Sequence, residues 1–365
     1  MSRIMKTVYL VCDIELCQGS SFYDYLRALK TPNCRYILVT STISEGARVA
    51  LEQHGYRCHC ISHWWLFAKL LWLYPADIVH FHFYGLGHPF LLVARTCCSN
   101  VLVSVHHSLS SNITDSARIR FKRWFYSKLV SHLIAVSPYV EGWLRQDISP
   151  EKIHLIANGI DIDRFRYQEP LPFNGILRCL FVGNLTEQKG VLLLLSLFSR
   201  PEIAAIAKLT IIGDGLLRSE VEQHAEANPA ITYQGESSQV EKLLKNAHVI
   251  LLPSQWQEAF GYVAAESMAV GRAVIAQPKG GLAQLFQHDR QGWYLDFNDP
   301  LAFLDRLQQL HSEPEQLKEA GREARSWASC HFALSRQIQQ TLSIYHRLLL
   351  PSQTDVALSP QDGSR

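Results

Sequence analysis

From His248 to Ser254 the chain reads HVILLPS, a short apolar run with β-branched residues near its start and a proline at its end. That pattern predicts a buried parallel strand rather than a helix. A turn-rich segment holding Glu258, Phe260 and Gly261 follows, then YVAAESMAVG, a helix with small residues on its inner face that stops at Gly271. A second strand, RAVIAQ, leads into another glycine-rich turn, Pro278-Lys279-Gly280-Gly281. Two adjacent strands, each followed by a glycine-bearing loop, leave few folds open. In an open α/β sheet such loops gather at the carboxyl ends of the strands, where ligands bind.

The residues in these loops suit a particular chemistry. The Phe260-Gly261-Tyr262 turn presents free backbone N–H groups at a helix start, which is an anion site. Glu258 stands just before it, and Glu266 follows eight residues later, one to two turns into the helix. Carboxylates favour hydroxyls over phosphate, so an anion flanked by polyols, such as a nucleotide-sugar, fits both. The plainer reading of the same stretch is a solvated helix start with two glutamates.

The alternation extends over the whole chain. TVYLVCD, RYILVTS, DIVHFHF, NVLVSVHHS, HLIAVS and KIHLIANG read as strands, with helix-like segments such as FYDYLRALK and ARVALEQHG between them. QEPLPFNG is a polar, proline-bearing linker, after which RCLFVGNL, KLTIIGDG and ITYQG begin new strand–loop–helix units. The expected fold is therefore α/β, with two doubly wound parallel-sheet domains. The boundaries fall at residues 1–168 and 169–350, with a flexible tail at 351–365. A chain of 365 residues, 47% hydrophobic and 19% charged, can supply two cores.

Several function classes recede on composition. A formal net charge of +2 argues against a dedicated nucleic-acid binder. The nine cysteines include no C-x-x-C pair, and neither Cys58-His59-Cys60 nor Cys97-Cys98 has the spacing of a zinc site. They read as reduced thiols of a cytoplasmic protein. Trp64 to Tyr74 is the longest apolar stretch, carries Lys69, and is short of the ~20 residues of a membrane span. No cleavable leader is visible after Val8–Cys12, so the chain is expected to be soluble or peripheral.

Charge is unevenly divided. Residues 1–168 hold 18 Lys and Arg against 12 Asp and Glu, a balance of +6, and the remainder holds 17 against 21, a balance of −4. Five basic residues sit among aromatics in ARIRFKRWFYSKLV, residues 117–130. One reading is a surface that meets anionic lipid or an anionic acceptor. The other, preferred on sequence, is an amphipathic helix packing Phe121, Trp124, Phe125 and Leu129 on the sheet.

Individual residues carry further signals. His106 stands at the carboxyl end of a predicted strand, and His80 and His82 share a strand face by alternation. They lack a third metal ligand. Lys189 lies in a Gly-flanked loop after a strand, placed to meet a phosphate, although the loop is not a Walker P-loop. Gly213-Asp214-Gly215 imitates a dinucleotide fingerprint, but Arg218 replaces its third glycine. Asp161-Ile162-Asp163 reads as loop and turn.

Taken in order, IANGIDIDRF, FVGNLTEQKG, LTIIGDG, PSQWQEAFGYVAAE and KGGLAQL resemble the retaining glycosyltransferases of family 4, the group 1 glycosyl transferases. DIVHFH, SVHHS and IAVS extend the likeness into the first half. The resemblance implies the GT-B fold: two Rossmann-like domains facing a central cleft, the first for acceptor and the second for nucleotide-sugar, with the last helix packing back on the first. It implies a donor that is a nucleoside-diphosphate sugar, most often UDP-linked, and a glycan or lipid-linked acceptor of cell-surface polysaccharide or lipopolysaccharide synthesis. Lys189 would neutralise the diphosphate, Glu258 and His106 would touch the transferred sugar, and Glu266 would hold the ribose. Phe260, Gly261, Tyr262 and Val263 would supply backbone contacts, while Gly19, Asn184 and Gly213 would border the donor. No cofactor or metal is implied.

The chain departs from the family pattern in three places. Asn184 stands where Arg is frequent, Ser20 replaces the second of two adjacent glycines, and Gln284 replaces a common Glu. Arg218 is a candidate for the missing cation. A catalytically weak GT-B-like binding subunit is the main alternative. A glycoside hydrolase would have no use for Lys189 or the phosphate loops, and an NAD enzyme fails on the fingerprint.

Overall fold

A computed structural model describes residues 5–31, 33–107 and 117–349. The predicted tail, 351–365, lies outside them, as do residues 108–116, which precede the basic segment.

Two parallel sheets form the frame. The first contains β1 (Lys6–Leu16), β2 (Cys34–Ile43), β3 (Tyr56–Cys60), β4 (Ile78–His82), β5 (Val101–Val105), β6 (His132–Ala135) and β7 (Ile153–Leu155), in the order β3-β2-β1-β4-β5-β6-β7. The second contains β8 (Leu177–Val182), β9 (Ala207–Ile212), β10 (Ile231–Tyr233), β11 (Val249–Leu252), β12 (Ala273–Ala276) and β13 (Gly292–Tyr294), in the order β10-β9-β8-β11-β12-β13. Strand order reverses between β1 and β4 in one sheet and between β8 and β11 in the other. At such switch points the flanking loops diverge and leave a crevice.

Strand character follows burial. β4, β5, β11 and β12 are covered on both faces and are buried throughout, which is why they read as continuous apolar runs. β3, YRCHC, sits at a sheet edge and is half exposed, so its polar sequence gave no strand signal. β1 runs past the predicted TVYLVCD to Leu16, with a register shift between Cys12 and Glu15.

The chain returns to the first sheet at its end. Ile160 donates its N–H to Phe332, and Leu334 donates back to Ile160, opening the helix Leu334–Leu349. That helix buries Ile338, Ile344 and Tyr345 in the core beneath β1 and β4. At the amino end of β12, Arg272 is fully buried and its guanidinium donates to the carbonyls of Gln168, Val270, Gly271 and Lys245. This one cation satisfies the orphan carbonyls of a helix end and pins the linker to the second domain.

The basic helix corrects a sequence expectation. In the helix Ala117–Ser127, Phe121, Trp124 and Phe125 are 64%, 44% and 46% exposed. The buried side chains are Arg123 and Ser127. Arg123 pairs with Asp147 and lies 4.7 Å over the Trp143 ring. The ion pair, not an apolar stripe, seats the helix, so its aromatics face outward.

Candidate functional site

The second domain supplies a charged wall. Gly261, at φ 107°, turns the chain into the helix Tyr262–Ala269 and offers no side-chain cap. The first N–H groups of that helix thus have no partner within it. A Cβ on Gly261 would stand 2.7 Å from Leu282 in a backbone region that L residues avoid. The two predicted glycine loops interlock: Gly281 N–H donates to Glu258 O at 2.6 Å, fixing the loop that carries Glu258.

The Glu258 carboxylate faces the loop after β8. Its Oε1 accepts from Lys189 Nζ at 2.6 Å and from Ser254 Oγ at 2.7 Å. Lys189 is aimed by the short 3₁₀ turn Glu187–Lys189 and by Gly190, which turns left-handed at φ 76° against the Pro253 carbonyl. Both charges border a cavity of about 250 Å³ that is also lined by Phe260, Gly261, Tyr262 and Val263.

The first domain closes the cavity with neutral groups. His106, just past β5, lies on its wall, as do Phe83 and Asn158. The Phe83 ring stacks on His106 with centroids 4.1 Å apart, and Phe83 holds φ 63° to do so. A bulky residue in that conformation costs roughly 1–3 kcal/mol. His107 Nε2 donates to the Phe83 carbonyl and anchors the strained turn. Burial drives the His106 imidazole down to about 3, so it is neutral.

Glu266 lies outside this cavity. Its Oε1 accepts from Ser21 Oγ, across the cleft, at 2.6 Å. Loss of surrounding water raises its carboxyl to about 7, only partly offset by the Ser21 hydroxyl and Arg164. Arg164 also donates to the Gly19 carbonyl at 2.6 Å and to Asp24 at 2.9 Å, and its other arm lies 3.5 Å from Glu241. The Gly19 loop is therefore tied to the second domain on the Glu266 side. Ser20 accepts from Tyr23 N–H as the cap of the helix Ser21–Ala28, which accounts for a serine where a second glycine was expected.

The remaining expected residues divide clearly. Gly213 is pressed on Gly183: a Cβ there would stand 1.9 Å from the Gly183 carbonyl. It shapes the loops and does not line the cavity. Asn184 is exposed and reaches no cavity wall. Arg218 is exposed, pairs with Asp214 and Glu222 on the surface and is not among the residues that line the cavity. Asp161 accepts from the N–H groups of Asp163 and Arg164, the turn that D-x-D was read to be. Among the described residues no three His, Cys, Asp or Glu side chains converge as a metal site.

Four contributors escaped the sequence reading. Ser254 lies four residues before Glu258 and could have been found as its partner. Ser21, Phe83 and Trp256 gave no signal, since their roles come from a contact across the domains, a strained turn and burial. Trp256 Nε1 is buried at the cavity without a hydrogen-bond partner, as is His106 Nδ1. Buried orphans of this kind mark places where a ligand or water completes the bonding.

Two Rossmann-like parallel sheets with a cavity between their switch points define the GT-B class. Residues 20–164 match the family description "Glycosyltransferase Family 4", and residues 165–327 match "Glycosyl transferases group 1". The chain belongs to this glycosyltransferase family. It is 29% identical over 226 residues to the alpha-maltose-1-phosphate synthase of Mycolicibacterium smegmatis, a stretch covering 55% of this chain and 58% of that protein. A glycosyltransferase structure from Rickettsia africae superposes with a TM-score of 0.79 at 20% identity, covering 95% of this chain and 99% of the other. Anabaena HepE in complex with UDP superposes at 0.77 and 16% identity, covering 94% and 100%.

Proposed function

We propose that the protein is a retaining glycosyltransferase that moves a sugar from a UDP-linked donor to a glycan or lipid-linked acceptor. The observation that carries this reading is the Lys189–Glu258 pair beside uncapped amides at the Tyr262 helix start, facing neutral His106 across the cavity. Family membership and the UDP held by the HepE structure support the donor class. On donor binding, Lys189 transfers from Glu258 to the diphosphate, and the helix-start amides share the charge that develops on the leaving group. Glu258, released from Lys189, accepts from sugar hydroxyls. The acceptor hydroxyl attacks on the face the diphosphate leaves and gives its proton to the departing phosphate oxygen, which retains configuration. The cationic role falls to Lys189 and the amides, so the reaction is expected to run without a metal.

The partners extend the proposal. Exposed Phe121, Trp124 and Phe125 beside Arg118, Arg120, Lys122 and Lys128 form an apolar and cationic face suited to anionic lipid, where a lipid-linked acceptor would be presented. No helix among the described residues is long and apolar enough to cross a membrane.

The deciding experiment is thermal stability against UDP, GDP, ADP, CMP and NAD, each with and without EDTA. A ligand at a hundred times its dissociation constant adds about 2.7 kcal/mol, a shift of several degrees for domains of this size. Stabilisation by UDP alone, unchanged by EDTA, is expected. Stabilisation without turnover would favour the binding-subunit alternative, and stabilisation by NAD alone would overturn the reading.

A further inference from the structure

Behind His106 lies a second imidazole that the proposed reaction does not use. His82, at the end of β4, is almost fully buried, between Phe22, Tyr25 and His80. Its Nδ1 lies 3.2 Å from His106 Nε2. His82 Nε2 and His106 Nδ1, the two outer nitrogens, are both buried and without a partner. Burial lowers the pKa of both rings, so both are neutral, each carrying one N–H.

The shared bond allows two arrangements. If His106 Nε2 carries the proton, His82 must carry its own on Nε2, where an N–H is sealed in the core with nothing to accept it. If His82 Nδ1 carries the proton, His106 Nε2 accepts it and the remaining N–H falls on His106 Nδ1. A buried donor without a partner is costly. Only at His106, on the cavity wall, can a ligand or water relieve that cost.

We propose that His82 is a positioning residue that fixes His106 as an Nδ1–H donor for an oxygen of the bound donor sugar. His106 then cannot serve as a base through Nδ1; it binds and orients. The Phe83 ring stacked on one face of His106 opposes the ring flip that would bring carbons to the places of Nδ1 and Nε2. His80 plays a different part: its Nδ1 and Nε2 meet Tyr345 and Ser104, so it is fully satisfied within the core.

The two arrangements differ in a directly observable way. With the full chain labelled in its histidines, nitrogen and carbon NMR shifts distinguish Nδ1–H from Nε2–H rings. His82→Asn and His106→Gln identify the two sets of resonances by their loss. Nδ1–H tautomers on both His82 and His106 are expected. Nε2–H on both would overturn the proposal, whatever the activity.

The kinetic arm rests on the transferase reading and separates from it. An Asn at position 82 can still place an N–H against His106 Nε2, and a Leu cannot. His82→Asn should hold kcat within about threefold, while His82→Leu should lower kcat about tenfold with a smaller change in donor KM. Equal losses in both, with the His106 tautomer unchanged in His82→Leu, would assign His82 to packing alone. Absence of transfer in every variant, wild type included, would count against the transferase reading, and the NMR result would still decide the role of His82.

Discussion

The two walls of the cleft work by opposite means. The wall from the second sheet is built of backbone and full charge: uncapped amides at Gly261–Val263, the Lys189 ammonium and the Glu258 carboxylate. The wall from the first sheet is built of neutral rings held in fixed positions: half-buried Phe83 and His106, stacked on each other, with buried His82 behind them. The first arrangement suits a ligand whose charge changes during reaction, because Lys189 has a partner to leave and a phosphate to join. The second suits recognition of a neutral sugar, because desolvated imidazoles bind through direction rather than charge.

That contrast predicts a graded response to mutation. The largest effect belongs to the charged wall. Lys189→Ala and Glu258→Ala should each reduce transfer at least about a hundredfold, or about 2.7 kcal/mol in the barrier, with the fold intact. Steady-state rates with circular dichroism as the folding control test this. Unchanged rates in both single variants would remove the charged wall from the chemistry.

A smaller loss, in stability rather than rate, should come from the glycine frame. Gly213 has φ 139° and no space for a Cβ beside the Gly183 carbonyl. Gly213→Ala should cost roughly 1–3 kcal/mol, read as a lower midpoint in chemical denaturation. An unaltered midpoint would show that the loops after β8 and β9 are not rigidly packed, and that the charged wall has a looser base than its geometry indicates.

Glu266 sharpens the comparison through pH. Its folded carboxyl titrates near 7 against an ordinary 4.5, chiefly through burial. Ionisation is thus disfavoured in the folded chain. The contribution to stability is intact below about 4.5 and is lost as pH rises through 7. If Glu266 holds the ribose hydroxyls, ligand binding favours the ionised form. UDP affinity should then rise up to roughly tenfold between about pH 6 and about pH 8. Glu266→Gln should remove the part of that rise that does not come from the phosphate itself. Parallel calorimetric titrations of wild type and variant decide it, and identical pH slopes would place the ribose elsewhere.

The same contrast explains what the sequence disclosed. Glycine has a conformational reason to stand at Gly190, Gly213 and Gly261, and Lys189 and Glu258 stand beside them in order, so the second wall was legible as a string. Buried parallel strands were legible as apolar runs for the same local reason. The first wall was not, because the partnership of His82 with His106 and the turn of Phe83 arise from burial and from contacts between strands. β3 failed for want of an apolar face. The helix Ala117–Ser127 was misread because composition cannot say whether an arginine or a phenylalanine is the residue turned inward.

That misreading yields the smallest expected effect. If Phe121, Trp124 and Phe125 packed on the sheet, removing two of these rings would cost roughly 3–5 kcal/mol each. Exposed as they are, Phe121→Ser with Trp124→Ser should change stability by no more than about 0.5 kcal/mol. Co-sedimentation with vesicles then separates a lipid-facing surface from a merely solvated one. Binding to phosphatidylglycerol vesicles, weak binding to phosphatidylcholine vesicles, and loss of both in the variant would support the peripheral-membrane proposal. Equal sedimentation of wild type and variant would leave the helix as a surface element seated by Arg123 and Asp147, with its aromatics outside the acceptor's path.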